Sequence, residues 1–218
     1  MSKALVIIGK DILAEARAKD MLTTFLVFSL LSVVIFFFAL TPETISKVAA
    51  GVLWVAFTFA GMLGLSRSFF LEKERGGLDA LMLCPVDREV VFLGKAGSSF
   101  IFMFAAELIL MPVFSVLMNL PLFLPRLILI AFLTTIGFVA LGTLFATMAA
   151  NTRAQELMLP LLFLPMAVPL LIAAVESSAA VLEGAPWGQI SSWLQMIGAF
   201  DIIFVVLSTF AFPWVLEA

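Results

Sequence analysis

Long apolar stretches alternate with short polar breaks along this chain, and six of the stretches are long enough to cross a bilayer. A helix needs about 20 apolar residues to pass through the hydrocarbon core. Residues 21–40 and 48–66 carry no charge, 96–118 carries only Glu107, 127–150 and 157–175 carry none, and 194–216 carries only Asp201. Runs this apolar, without strand-like alternation, predict helices rather than a barrel. Ahead of the first span, Leu5, Ile8, Ile12 and Ala16 recur at helical spacing, while Lys3, Lys10, Asp11, Glu15 and Lys19 fall largely elsewhere. That pattern predicts an amphipathic helix lying in the headgroup plane. The expected fold is an all-α integral membrane protein with six transmembrane helices, forming a single domain over residues 1–218.

The densest polar break, residues 67–95, has a pattern of its own. Gly76 and Gly77 interrupt the backbone, and Leu78, Leu81 and Met82 then follow at i, i+3, i+4, the apolar stripe of a short helix. Asp79 falls in its first turn, where the helix dipole favours an anion. Pro85 cannot extend it. Asp87 is placed to cap a second short segment, Arg88 to Leu93, running into the third span. An ordinary connector needs no amphipathic helix, so this loop predicts a surface that passes force to a soluble partner. Glu72, Glu74, Arg75, Gly76, Gly77, Leu78, Leu81, Pro85 and Arg88 are its candidate docking residues. Cys84 reads as a buried spacer within it.

Composition agrees with the spans. The chain has 218 residues, 63% hydrophobic and 12% charged, with a mean hydropathy of +1.20. Soluble domains carry roughly 25% charged residues, so a water-facing globule is excluded. With the N-terminus cytoplasmic, Lys3, Lys10, Arg17, Lys19, Arg67, Lys73, Arg75, Arg88, Lys95 and Arg153 fall on the cytoplasmic side, and only Lys47 and Arg126 fall opposite. That asymmetry sets the orientation by the positive-inside rule. Six spans return the C-terminus to the cytoplasm. No cleavable signal peptide is expected, because the first apolar run, Ala4 to Ile8, is short and followed by charge.

Candidate chemistry is sparse. The chain contains no histidine and one cysteine, which excludes His-ligated zinc or haem, Ser/His/Asp catalysis and an intrachain disulfide. Gly94-Lys95-Ala96 imitates the tail of a phosphate loop, but position 89 is Glu and position 96 is Ala, so the motif fails. Any ATPase must therefore be another polypeptide, and no metal, nucleic acid or directly bound cofactor is expected. Glu107, midway along the third span, is a candidate for a polar contact or a substrate path, since an intramembrane carboxylate is costly. Asp201, early in the sixth span, is expected near the outer interface. Ala56, Ala60 and Gly64 recur at four-residue intervals and form a candidate dimer face. Pro160, Pro165 and Pro169 predict a kinked fifth span. Residues 176–195, with Trp187 and Trp193, predict an interfacial loop anchored by aromatics.

The loop also resembles that of ABC-2-type ABC transporter permeases, with the pattern acidic-x-Gly-x-Leu-x-x-Leu-x-x-x-Pro met by Glu74, Gly76, Leu78, Leu81 and Pro85 and continued by Arg88, Glu89, Gly94 and Lys95. Lys73 and Arg75 interrupt the acidic run that precedes the glycine in that pattern. More narrowly, the chain is similar to the cytochrome c maturation protein B (haem exporter protein B) family. The segments carrying this likeness are residues 51–56 around Trp54, leading through Arg67 and Phe69, and residues 153–160 followed by 164–172 with their prolines. The resemblance spans roughly residues 1–216.

It implies a bacterial or organellar inner-membrane permease that pairs with a second copy and binds a cytoplasmic ABC ATPase (CcmA-like). It further implies haem-handling membrane subunits (CcmC-like and CcmD-like), a periplasmic haem chaperone (CcmE-like), ATP acting through the partner, and haem as cargo of the complex. From the residues alone three classes stay open. The first is an ABC exporter permease, including one for a drug, lipid or polysaccharide; the others are an ion-coupled secondary transporter and an intramembrane enzyme. Inverted repeats and midplane charge, expected of the second, are not evident. A membrane aspartyl protease wants two aspartates where only Asp201 stands.

Overall fold

The computed structural model describes residues 3–150 and 155–217. The side chains of Pro42, Ser46, Leu78, Asp79, Gln155, Glu156, Leu157, Leu216 and Glu217 lie outside that description, as do Arg153 and Ala154 entirely. Eight helices follow one another: α1 (Lys3–Ala18), α2 (Asp20–Ala39), α3 (Pro42–Glu74), α4 (Gly77–Leu83), α5 (Arg88–Met118), α6 (Pro125–Ala150), α7 (Gln155–Leu182) and α8 (Trp187–Glu217). No strand occurs among the described residues. Six of the helices, α2, α3 and α5 to α8, are long and apolar enough to cross a membrane. The protein is a multi-pass membrane protein.

The span helices outrun the apolar stretches that announce them. α3 has 33 residues, about 50 Å at 1.5 Å per residue, against a hydrocarbon core of roughly 30 Å. Its last turns therefore project beyond the bilayer and carry Glu72 to the base of α4. α7 runs unbroken to Leu182 and α8 begins at Trp187. The expected loop over 176–195 is thus only a four-residue connector, 183–186. Ser177 and Ser178 are buried instead of interfacial. Arg126 at the start of α6 lies over the Trp187 ring at 5.7 Å, which ties the starts of α6 and α8 together on the side opposite α4. The three prolines of α7 do not divide it: Pro165 and Pro169 point outward, while Leu159, Phe163, Ala167 and Leu170 on the other face are buried.

Most buried side chains form one core running the depth of the bundle, with Phe25, Phe57, Phe114 and Phe163 among the largest. α6 lies at its centre, packed on α8, α7, α5 and α3. Within this core Trp54 of α3 donates its indole N–H to Ser178 Oγ of α7 at 2.9 Å, fully buried. A smaller, separate cluster sits at the α4 end: Ile7 of α1, Val91 and Phe92 of α5, Ala140 and Leu144 of α6, and Phe212 of α8, with Leu81 and Val86 packed against it.

Ala56 and Ala60 are wholly covered by the chain's own helices. A Cβ at Gly64 would meet Met21 of α2 at 3.2 Å. The expected dimer face at Ala56, Ala60 and Gly64 is corrected accordingly: small residues there let α2 and neighbouring helices approach within one protomer.

Candidate partner-docking site

Why α4 forms where it does follows from its two flanks. α3 ends at Glu74, and Gly76 adopts φ +69°, a left-handed conformation that glycine tolerates without penalty. α4 then occupies only seven residues before Cys84 turns extended and Pro85 bars continuation. Asp87 does stand at the N-cap position of the next helix, but its side chain makes no capping bond, and Arg88 to Leu93 is continuous with the third span rather than a separate segment.

The helix sorts its side chains by role. Leu81 is half-buried against the small cluster beneath it, joined by Val86. Met82, Leu83, Cys84 and Pro85 face outward, and Leu83 is 89% exposed. The Cys84 thiol donates to Ala80 O at 3.3 Å but is itself exposed, which corrects the expectation of a buried spacer. Glu74, Arg75, Asp87 and Glu89 are exposed around this apolar tip, and Arg88 is half-buried. Leu78 belongs to the helix, but its side chain lies outside the described residues. The result is a seated base with a protruding hydrophobic knob and a rim of both charges. Interface anchors have this anatomy, with an apolar centre and polar surround.

Glu72 does something other than the sequence suggests. Its carboxylate turns inward, one oxygen accepting from Lys10 of α1 at 3.0 Å and the other from Lys95 of α5. Lys95 is 3% exposed and also pairs with Asp11 of α1 at 3.0 Å. Lys10 reaches Asp11 at 3.1 Å, and Ser98 Oγ donates to Asp11 at 3.1 Å. Burial works against the Lys10 charge, but the carboxylates of Glu72 and Asp11 outweigh it and hold its ammonium above the ordinary lysine value. Glu72 is accordingly turned away from the candidate docking surface, around which Glu74 and Arg75 are exposed.

α1 is fixed to the same base along its length. Lys3 donates to Pro85 O at 2.8 Å. A Cβ at Gly94 would lie 2.8 Å from Ile7, and one at Gly97 would lie 2.9 Å from Ile8, so two glycines of α5 form the cradle for this helix. Its packed face is Ala4, Ile7, Ile8, Asp11, Ile12 and Glu15, while Leu5, Val6 and Leu13 are exposed. The expected stripe of Leu5, Ile8, Ile12 and Ala16 is therefore split between α5 and the outer surface. At the other end, Glu15 Oε1 accepts the backbone N–H groups of Met21 (2.7 Å) and Leu22 (2.9 Å), capping α2. Burial pushes the Glu15 carboxyl above its ordinary value despite those two bonds.

A cavity of about 230 Å³ opens beside the ion pairs, lined among others by Glu15, Met21, Phe69, Arg75 and Lys95.

Two carboxylates lie deep in the spans. Glu107 is 2% exposed, accepts from Thr135 Oγ1 at 2.7 Å, and borders a void of about 10 Å³ shared with Trp54, Thr58 and Thr134. That volume is about one water molecule, and the contact seen at Glu107 is the bond from Thr135. Asp201 lies fourteen residues into α8, about 21 Å from Trp187 along the axis. The expectation of an interfacial position is corrected: it is buried against Gly137 of α6, where any larger residue would collide with its carboxylate. Both acids thus meet α6, at Thr135 and Gly137. Among the described residues no group of three or more Cys, Asp or Glu is arranged to hold a metal ion.

Sequence reasoning missed Lys95, Ser178 and the Gly94/Gly97 cradle. Gly94 and Lys95 were visible in the sequence, as part of a failed phosphate loop and of the permease-like pattern, but neither reading gave them a structural role. Nothing local pairs Trp54 with a serine 124 residues away.

Comparison with known proteins gives a consistent likeness. Residues 2–218 match the family described as CcmB protein. The chain is 32% identical over 211 residues to Heme exporter protein B of Rhodobacter capsulatus, covering 94% of each chain. It is 32% identical over 212 residues to the protein of the same name in Paracoccus denitrificans, covering 96% of this chain and 95% of that one. Heme exporter protein B of Pseudomonas aeruginosa is 29% identical over 177 residues, covering 80% and 79%.

Proposed function

This chain belongs to the CcmB protein family, and on that premise we propose that it is the membrane-spanning, non-catalytic subunit of a haem-exporting ABC assembly in cytochrome c maturation. α4 is its docking element for a separate cytoplasmic ATPase. The observation that carries the reading is the seated helix with an outward apolar tip: Leu81 holds α4 to the bundle while Met82 and Leu83 stand clear of it. An apolar knob of this kind is costly to leave in water and is explained by a partner that covers it. The basic residues gathered at this end support, by the positive-inside rule, a cytoplasmic side for α4 and both termini, in the inner membrane of a bacterium or organelle.

In this reading ATP is spent by the partner, and the work enters through α4. Haem is cargo of the complex, handled with further membrane subunits and passed to a periplasmic chaperone. A second copy of the chain completes the assembly through a face other than the internal stripe at Ala56. The docking arrangement alone would also serve an exporter of drugs, lipids or polysaccharides; the family and its relatives, named as heme exporters, favour haem.

The test is co-purification of the ATPase with the variant Met82→Asp/Leu83→Asp. Truncating or charging an interface anchor costs about 2 kcal/mol or more, so recovery should fall by at least about tenfold with membrane insertion intact. Undiminished recovery would remove α4 from the docking surface.

A further inference from the structure

Lys95 is the cation most thoroughly withdrawn from solvent among the described residues, and no feature of a docking surface requires it. Its ammonium meets Glu72 of α3 and Asp11 of α1, and Lys10 meets the same two carboxylates from outside. Two cations and two anions therefore close a ring across three helices. Its position matters more than its strength. Glu72 stands in the last turn of α3 and Lys95 in the second turn of α5, so their pairing pinches together the two strands of chain between which α4 hangs. Asp11 adds α1 to the same knot. Four residues further on, Glu15 caps the first turn of α2. A continuous set of polar bonds thus runs from the root of α4, through α1, to the N-terminus of the first span.

We propose that the ring of Lys10, Asp11, Glu72 and Lys95 is a coupling joint: it fixes α4 to α1 so that displacement of the docking helix is delivered to α2, and Lys95 is its positioning residue. This rests on the reading of α4 as the ATPase-docking element. The chemistry suits the task. A lone buried ammonium cannot be left unpaired, so the joint holds as a unit: removing one partner leaves an uncompensated charge, and the helices part or admit water. Apolar contacts beneath α4 seat it without fixing its direction, whereas charge pairs drawn from three helices do both. The half-exposed Lys10 side is partly screened by solvent and contributes less than the buried side. The buried Lys95 side is what makes the ring stiff. The adjoining cavity of about 230 Å³ leaves room for a guanidinium at position 95, so Lys95→Arg retains the joint while Lys95→Met removes it.

Distances are read in the full chain stripped of ATPase, and ATPase recovery and cytochrome formation in the unlabelled full chain in its complex. Cys84 is the native cysteine, exposed on the docking loop, and a Cβ at Gly9 meets open space. Spin labels at Cys84 and Gly9→Cys report the α4–α1 distance. The wild type and Lys95→Arg should give one narrow distribution, and Lys95→Met a broad one. Co-purification of the ATPase should stay within about twofold in Lys95→Met, while c-type cytochrome formation falls by about tenfold or more, the range of a lost coupling free energy. Glu72→Gln, which leaves Lys95 paired with Asp11, should fall between and serves if Lys95→Met does not insert. An unchanged distance distribution in either charge-removing variant overturns the joint. So does loss of ATPase recovery in step with activity, since Lys95 would then act on docking itself. If the wild type recovers no ATPase, the docking reading fails while the spin-label distances still decide whether the joint exists.

Discussion

Trp54 shows how a single polar atom can organise an apolar bundle. An indole in hydrocarbon needs an acceptor for its N–H, and Ser178 supplies one across the core at 2.9 Å. Removing either partner strands the other, at a cost of about 1 kcal/mol for a neutral pair. Trp54→Phe and Ser178→Ala should each lower the unfolding free energy in micelles by about that amount, and the double variant by less than their sum, as a double-mutant cycle would read. Full additivity would mean the bond contributes nothing. The tryptophan was conspicuous in the sequence as part of a family-like segment. Its partner was not, because hydropathy records that serine is tolerable in a span and not which helix it faces. Glu107 was likewise legible as an anomaly, but Thr135, which satisfies it, was not. Asp201 was misplaced because the span was bounded by its apolar run, whereas the helix begins seven residues earlier, at Trp187.

The six spans were readable because a bilayer imposes a length and an apolarity that nothing else in the chain imitates. The short helix in the loop was readable because Gly76 and Pro85 fix its ends. The ends of α3 and α7 were not, since a helix leaving the membrane changes composition without changing hydrogen bonding. The attachment of α1 was partly legible: its amphipathic spacing was plain, but the face chosen depends on Gly94 and Gly97 of a helix about ninety residues away. At this scale pH becomes informative. The Lys10 pKa is raised by its pairing with Glu72 and Asp11, which outweighs burial. A raised lysine contributes stability that is complete below its ordinary value of 10.5 and lost as pH climbs through the higher one. A spin label at Gly9→Cys should therefore keep constant mobility from neutral pH to about 10 and loosen only beyond the ordinary lysine range. In Lys10→Met that alkaline transition should be absent or much reduced. Loosening on acidification through the neutral range would contradict this assignment.

For the whole molecule, the distribution of charge and the distribution of packing say the same thing. Among the described residues, nine of the eleven basic ones fall on the side of α1 and α4, and that is also where the chain builds its separate apolar cluster and its ion-paired ring. The opposite side has only short connectors. Such asymmetry accords with the proposed drive from one side of the membrane. The lone thiol at the tip of the docking loop makes the decisive measurement direct. In inverted inner-membrane vesicles stripped of ATPase, a membrane-impermeant maleimide should modify Cys84 rapidly, and restoring the ATPase should slow the reaction by about tenfold or more, as expected for an anchor buried by its partner. Modification of Cys84 in intact right-side-out spheroplasts, or full reactivity in vesicles saturated with ATPase, would contradict the account.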